Sequence, residues 1–323
     1  LLEHGGNLSL ASKMYGIPLA DWLDLSTGIN PDNYPVTVVP DAVWQRLPDN
    51  DDDLIKSACS YYGCQSLLPT AGSQAALQVL PRLRPVCKVA MLNPMYREHA
   101  HAWQRQGHAV SSFTSLADTS VAQADVVLIC NPNNPTARLF TPMELLDLHN
   151  HLRRRGGWLI VDEAFMDTTP EYSIAQHAHL EGLFVLRSLG KFFGLAGARV
   201  GFLLAEDSQL ARVQEELGPW TLTGASRLIA KQALLDKAWQ DKTRLALAHK
   251  SQRLVALLSE HHLAPQAGTA LFQYTPTAKA IQWQHHLATR GIWVRLFTDT
   301  PALRFGLPHE NGWGRLEEAL KTL

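Results

Sequence analysis

No stretch of this chain approaches the ~18 consecutive apolar residues that a spanning helix needs. Although 46% of it is hydrophobic, the apolar residues come in short runs. Basic residues hold no excess either: 29 Lys and Arg face 30 Asp and Glu, for a formal net charge of −1. That balance argues against a dedicated nucleic-acid binder, whose binding face is basic. The opening Leu1-Leu2-Glu3-His4-Gly5-Gly6-Asn7 lacks the basic and then apolar pattern of a secretory leader. Its first residue is not Met, which suggests a trimmed start. Cysteine is scarce: Cys59, Cys64, Cys87 and Cys130 are the only four, with no CxxC pair. This spacing suits no zinc site, and the four are expected to be reduced core thiols of a cytoplasmic protein. No metal is expected. No GxGxxG follows an early strand, which excludes a dinucleotide-binding dehydrogenase. Repeats, low-complexity tracts and long charged runs are missing too. The densest charge cluster, Asp49 to Asp53, reads as an exposed loop or a helix start. Histidine is frequent at 14, with doublets at His261-His262 and His285-His286. Both doublets lie in helical text, where adjacent residues do not share a face, so solvated rings are expected.

At 323 residues the chain has room for about two domains. Its middle alternates short apolar runs with amphipathic stretches. Val89 to Leu92, Val126 to Cys130, Trp158 to Val161, Phe184 to Leu186 and Val200 to Leu204 read as buried strands. Pro142 to Arg155 reads as a helix between them, with Leu145, Leu146, Leu148 and Leu152 at helical spacing. This repetition predicts an α/β layer with a mainly parallel sheet over residues 36–220. Ala225 to about His261 is nearly breaker-free, predicting two helices or one long connecting helix. Beyond it, Ala270 to Tyr274 and Ile292 to Phe297 read as extended, flanking a helix over Ile281 to Thr289. A last helix covers Gly312 to Leu320. Residues 221–323 are therefore expected to hold the connecting helix and a smaller α+β domain. The first 35 residues are expected to pack on that smaller domain.

Four elements carry chemistry, in a particular order. Thr70-Ala71-Gly72-Ser73-Gln74 opens a helical run, where small residues leave backbone N–H groups open to an anion. Asn131-Pro132-Asn133-Asn134-Pro135-Thr136 follows a strand, at the end where ligands sit in open α/β sheets. Val161-Asp162-Glu163-Ala164-Phe165 ends another strand, and a carboxylate inside apolar text is costly unless it pairs with a cation or a metal. Ser188-Leu189-Gly190-Lys191 leads to Arg199 through glycines and phenylalanines. A lysine in apolar surroundings has its pKa pushed down and becomes a usable nucleophile. Asn134 lies 28 residues before Asp162, and Asp162 lies 29 before Lys191.

This order resembles the fold-type I enzymes that use pyridoxal 5′-phosphate (PLP), the aspartate aminotransferase superfamily, over essentially the whole chain. The resemblance implies a three-layer PLP-transferase large domain over residues 36–220, a smaller C-terminal domain, and a homodimer. It implies that Lys191 is the catalytic lysine, holding PLP covalently and moving protons. Asp162 would pair with the protonated pyridine nitrogen and keep the ring an electron sink. Asn134 would hydrogen-bond the ring hydroxyl, and Tyr96 would stack on the ring. Gly72, Ser73, Gln74, Ser188 and Arg199 would cradle the phosphate.

His4-Gly5-Gly6-Asn7 and Asp24-Leu25-Ser26-Thr27-Gly28-Ile29-Asn30-Pro31 resemble the threonine-phosphate decarboxylase branch, which serves cobalamin biosynthesis. That branch implies decarboxylation of L-threonine O-3-phosphate to (R)-1-amino-2-propanol O-2-phosphate. The alternative is an aminotransferase acting on histidinol phosphate or a related amino acid. Either substrate carries a phosphate. Arg295 and Arg304, with His4 and Gly5, match the branch's substrate-binding positions, and Asn134 adjoins substrate too. Guanidinium forks suit carboxylate and phosphate. Four positions depart from the pattern. Gly28 stands where other members carry a substrate-contacting asparagine. Leu47 replaces a tyrosine that reaches the partner subunit's cofactor. Phe165 replaces a tyrosine beside the ring hydroxyl, and Ala137 replaces a glycine.

Overall fold

The computed structural model describes residues 4–323. Strands β1 to β6 are Leu23–Leu25, Leu68–Ala71, Lys88–Leu92, Ala109–Phe113, Val126–Cys130 and Trp158–Asp162. Strands β7 to β12 are Leu183–Ser188, Val200–Leu204, Ala267–Thr269, Phe272–Pro276, Ile292–Phe297 and Ala302–Gly306. The chain divides into two compact units. The larger spans Tyr34–Asn134 and Arg138–Trp239; the smaller spans Leu1–Asn33, Pro135–Ala137 and Gln240–Leu323.

The larger unit is built on a seven-stranded sheet of order β2-β8-β7-β6-β5-β3-β4. All its pairings are parallel except those of β8, which runs antiparallel to both β2 and β7. β5 and β6 are buried along their whole length, which is why they read as unbroken apolar runs rather than alternating ones. Val89, Met91, Val126, Leu128, Ile160, Phe184 and Leu186 turn to one face and pack with Trp103, Leu80 and Val213. The helix expected over 142–155 runs Pro142–Arg153. A capping box of Thr141 and Glu144 starts it, with Pro142 in its first turn.

The text from residue 225 onward forms two helices, Gly224–Leu235 and Lys237–Glu260. They part at Asp236, whose Oδ1 accepts from the Trp239 N–H at 3.0 Å and so starts the second helix. The first packs on the helix Leu54–Tyr62. It therefore belongs with the larger unit, and the division falls after Trp239 rather than after residue 220.

The smaller unit carries a five-stranded sheet of order β1-β11-β12-β10-β9. β1, from the N-terminal segment, pairs parallel with β11, so the start of the chain is an edge strand of this sheet. Ala11, Trp22 and Ala288 make a small core there, with Tyr15 and Trp293 against it. Two expectations need correction. His261 and His262 lie beyond the helix end at Glu260, and His286 is not simply solvated, because its Nε2 bonds the Ala319 carbonyl at 3.0 Å. Of the four thiols, all free, only Cys130 is buried; Cys59, Cys64 and Cys87 are half-buried.

A buried ion cluster underlies the larger sheet's edge. Arg187, on β7, donates from Nη1 to Glu163 Oε2 at 2.6 Å and from Nη2 to Asp167. Ser173 Oγ and the Ile174 N–H also donate to Glu163, at 2.6 and 2.9 Å. The Tyr62 ring lies 4.5 Å beneath the guanidinium. Burial opposes the Arg187 charge, but Asp167 and Glu163 outweigh it and raise its pKa above the ordinary value. Arg187→Met would strand two buried carboxylates. Urea denaturation should show a loss of about 3–5 kcal/mol, the cost of breaking a buried pair from one side. A loss below about 1 kcal/mol would mean that the cluster is dispensable.

Candidate active site

The register of the larger sheet brings the sequence elements together at one edge. Cys130 pairs with Asp162, and Asp162 with Leu186, so β5, β6 and β7 end side by side. Beyond them Ser188 pairs with Gly201, and Val200 with Ala71. The loops after β2, β3, β5, β6 and β7, and the residue before β8, thus leave the sheet at the same edge. These hold Gly72, Ser73 and Gln74; Tyr96; Asn134; Asp162; Ser188 and Lys191; and Arg199.

Gly72 adopts φ +71°, and a Cβ there would come within 2.6 Å of Arg199 Nη2. Only glycine lets the guanidinium lie against this backbone. Arg199 itself takes φ +53°, a left-handed conformation costing roughly 1–2 kcal/mol in a residue with a Cβ. Ser188 Oγ accepts from the Gly190 N–H at 3.2 Å, folding the turn that leads to Lys191. Lys191 Nζ stands 5.4 Å from the centre of the Phe165 ring. Gly72 and Ser73 backbone, Ser188 hydroxyl and Arg199 guanidinium make a donor set suited to a phosphate.

Asp162 is buried, with Oδ2 2.8 Å from His99 Nε2 and Oδ1 accepting from the Ala164 N–H at 3.1 Å. His99 was not singled out from sequence. Its signal was available: it follows Tyr96 by three residues on the helix Arg97–Arg105, one turn along the same face. Tyr96 meets the His99 ring edge-on at 6.0 Å, and its hydroxyl donates to Gln74 Oε1 at 3.4 Å. Burial pushes the Tyr96 phenol up to about 12, helped by Glu98 and Asp162. His99, Cys130 and Asp162 offer ligand atoms within 4.8 Å of one another, a metal-like grouping. Burial holds the Cys130 thiol well above its ordinary pKa, so it stays protonated and a poor ligand. The grouping works better as a carboxylate oriented by one imidazole, open to a cationic nitrogen. That donor set and the Gly72–Arg199 cradle fit a phosphorylated pyridinium cofactor.

The smaller unit holds the other predicted residues. Arg295 and Arg304 face each other in register across β11 and β12. Arg304 is buried and donates from Nη2 to the Ser26 carbonyl at 2.7 Å. Burial, then the Arg295 charge, lower its pKa to about 10, so it remains cationic at neutral pH. The same Ser26 receives the N-terminal motif. The Gly6 N–H donates to Ser26 Oγ at 2.7 Å, and a Cβ on Gly5 would lie 2.4 Å from the Ser26 carbonyl oxygen. His4 lies at the exposed start of this segment. The two N-terminal motifs are thus one structure, joined at Ser26 to Arg304.

Residues 21–320 match the aminotransferase class I and II family. The chain belongs to that family. It is 50% identical to a threonine-phosphate decarboxylase of Pseudomonas aeruginosa, over 99% of this chain and 97% of that protein. A threonine-phosphate decarboxylase of Sinorhizobium is 40% identical over 100% of this chain and 98% of its own. The fold is shared with histidinol-phosphate aminotransferase from Sinorhizobium meliloti, solved in complex with pyridoxal-5′-phosphate. The TM-score is 0.79 at 18% identity, covering 99% of this chain and 96% of that one.

A double-mutant cycle tests whether His99 and Asp162 act as a unit. His99→Ala and Asp162→Asn should be non-additive in urea denaturation by about 0.5–3 kcal/mol. Additivity within ~0.3 kcal/mol would dissolve the pair.

Proposed function

We propose that this protein is a PLP-dependent carboxy-lyase that removes carbon dioxide from L-threonine O-3-phosphate, yielding (R)-1-amino-2-propanol O-2-phosphate. The observation that carries this reading is the 50% identity to a threonine-phosphate decarboxylase across essentially the whole of both chains. The join of His4-Gly5-Gly6 to Ser26 and Arg304 supports it, because those motifs carry the resemblance to that branch. The product's place is cobalamin biosynthesis. The compartment is the cytoplasm, since four free thiols suit a reducing one; among the described residues no helix is long and apolar enough to cross a membrane. The assembly is a homodimer. Val36, Val38, Trp44 and Leu47 are 54%, 92%, 65% and 67% exposed, four large apolar side chains within twelve residues that a second copy would cover.

Bound PLP would supply an electron sink for the pair left behind when carbon dioxide departs. Gly72, Ser73, Gln74, Ser188 and Arg199 would hold its phosphate, Asn134 its ring hydroxyl, Tyr96 its face and Asp162 its ring nitrogen. His99 Nε2, 2.8 Å from Asp162 Oδ2, holds the carboxylate aimed. Lys191 would hold the cofactor, then deliver the proton that replaces the carboxylate. On the substrate side, Arg295 would face mainly the phosphate and Arg304 mainly the carboxylate, with His4 and Gly5 adding contacts to the phosphate.

The turnover assay scores carbon dioxide against keto-acid formation with threonine phosphate. Carbon dioxide with no keto acid is expected; transamination of histidinol phosphate without carbon dioxide from threonine phosphate would establish the aminotransferase instead. Lys191→Ala should abolish turnover yet still bind PLP, and borohydride should fix the label on Lys191 in the parent protein. Arg295→Ala and Arg304→Ala each remove a desolvated charge-assisted contact worth ~2–5 kcal/mol. That is roughly thirtyfold to several thousandfold in kcat/KM. Arg295→Ala should spare unphosphorylated analogues, and an equal loss on both substrate classes would refute its assignment to the phosphate.

A further inference from the structure

At the opposite ends of the larger sheet's strands, away from Lys191, a second cluster joins a thiol, an imidazole and two guanidinium groups. Cys87 precedes β3, and His108 precedes β4. Cys87 Sγ lies 3.3 Å from His108 Nδ1, and the Cys87 N–H donates to the same atom at 3.2 Å. A backbone N–H can only donate, so Nδ1 carries a lone pair. The ring proton therefore resides on Nε2, which donates to the buried Pro81 carbonyl at 2.8 Å. Trp103 packs edge-to-face on the imidazole, with centroids 4.6 Å apart, and fixes its plane. A nucleophile, a base, and a third group orienting that base form the arrangement that activates thiols.

Cys87 also lines a cavity of about 530 Å³ together with Arg84, Asp125, Trp158 and Arg212. Arg84 lies over the Trp158 ring at 5.0 Å and spends Nη2 on the Gly156 carbonyl at 2.9 Å. Arg212 spends its Nη groups on Gln209 Oε1 and the Leu83 carbonyl. Each guanidinium has five N–H donors, so both retain capacity for an anion entering the cavity. Burial pushes the Cys87 thiol up, against the pull of Arg84, so at neutral pH it needs a base rather than ionising unaided. His108 stands where that base is required.

We propose that Cys87, with His108 as base, is a site of thiol–disulfide exchange with a small disulfide that bears carboxylates. His108 Nδ1 releases the Cys87 N–H and takes the thiol proton as Sγ attacks one sulfur of the disulfide. That S–S bond breaks, a new one forms to Sγ, and the departing thiolate takes the proton back from the imidazolium. Cys87 ends oxidised as a mixed disulfide, and the other half of the small molecule ends reduced as a thiol. Arg84 and Arg212 receive the carboxylates. The other cysteines are placed differently. Cys130 is buried, and the Cys59 thiol donates to the Gln65 carbonyl at 3.7 Å rather than to an imidazole.

The test uses the cofactor-loaded protein with oxidised glutathione, mapped by mass spectrometry without reduction. Uncharged hydroxyethyl disulfide serves as the control. A retained glutathione adduct on Cys87 is expected, forming about tenfold or more faster than in His108→Gln. The preference for the charged disulfide should vanish in Arg84→Met and Arg212→Met. Folding of each variant is checked by its bound-cofactor absorbance. If His108→Gln fails to fold, the partition of adduct among the cysteines of the parent protein decides. Retained adduct on cysteines other than Cys87, no adduct at Cys87, or a rate indifferent to His108 would each overturn the proposal.

Discussion

One guanidinium holds two strand ends in place. Arg187 leaves β7 one residue before Ser188 and reaches Glu163 and Asp167, which follow Asp162 on the neighbouring strand's exit loop. A buried charge is tolerated only when its partners offset several kcal/mol of desolvation. Here two carboxylates do so, and Ser173 and the Ile174 N–H donate to Glu163 as well. Tyr61 adds a hydroxyl to Asp167 at 3.1 Å and lays its ring on Phe193, two residues after Lys191. The acid and the lysine are thus positioned by one ion cluster. Neither loop can shift without exposing or stranding a charge. Loops after parallel strands are ordinarily the mobile part of such a sheet; this one is fixed from beneath.

The parts of this arrangement that were legible in the sequence were those written in backbone. β5 and β6 are buried on both faces, so VVLIC and WLIVD announce themselves as uninterrupted apolar text. The Gly72, Asn134 and Lys191 loops show as glycine and proline punctuation. The missed strands lack such text. β2 is Leu-Pro-Thr-Ala, with a proline inside it; β4 is an edge strand with two exposed serines; β1 has three residues. β12 contains Arg304, a buried cation that breaks the apolar run. The reversal of β8 is invisible to composition, because an antiparallel strand buried on both faces reads like a parallel one. Side-chain partners were less legible still. His99 meets Asp162 across 63 residues of sequence, and no local pattern encodes that meeting.

The departures from the pattern acquire physical content in the structure. Ala137 takes φ +55°, in the left-handed region where a glycine would be at ease. The chain carries roughly 1–2 kcal/mol of local strain there, offset by the packing around it. Phe165 is buried with Lys191 Nζ over its ring, so the lysine meets an aromatic face where a phenol would have offered a hydroxyl. Gly28 is buried, leaving no side chain to reach a substrate from that point. Leu47, two-thirds exposed, replaces a polar reach with an apolar surface. None of these changes replaces Asp162, Lys191 or Arg199, and Phe165 makes the surroundings of Lys191 less polar.

The choice between losing carbon dioxide and losing a proton depends on the substrate carboxylate. On the function proposed above, its orientation to within roughly an ångström would decide the product. Arg304 is suited to that task. Its guanidinium is buried, pinned by the Ser26 carbonyl at 2.7 Å and laid over the Phe272 ring at 5.1 Å. Like charges directly opposite on adjacent strands cost energy, and Arg295 stands opposite Arg304 in register. An anion laid against both turns that repulsion into attraction. On the proposed assignment the pair would favour a substrate with two anionic groups over one with a single group, which is the charge pattern of a phosphorylated amino acid. A carboxylate held by a mobile surface lysine could rotate and let deprotonation compete. One held, as proposed, by a fork that cannot move without abandoning the Ser26 carbonyl would be committed to a single orientation, and with it to a single bond.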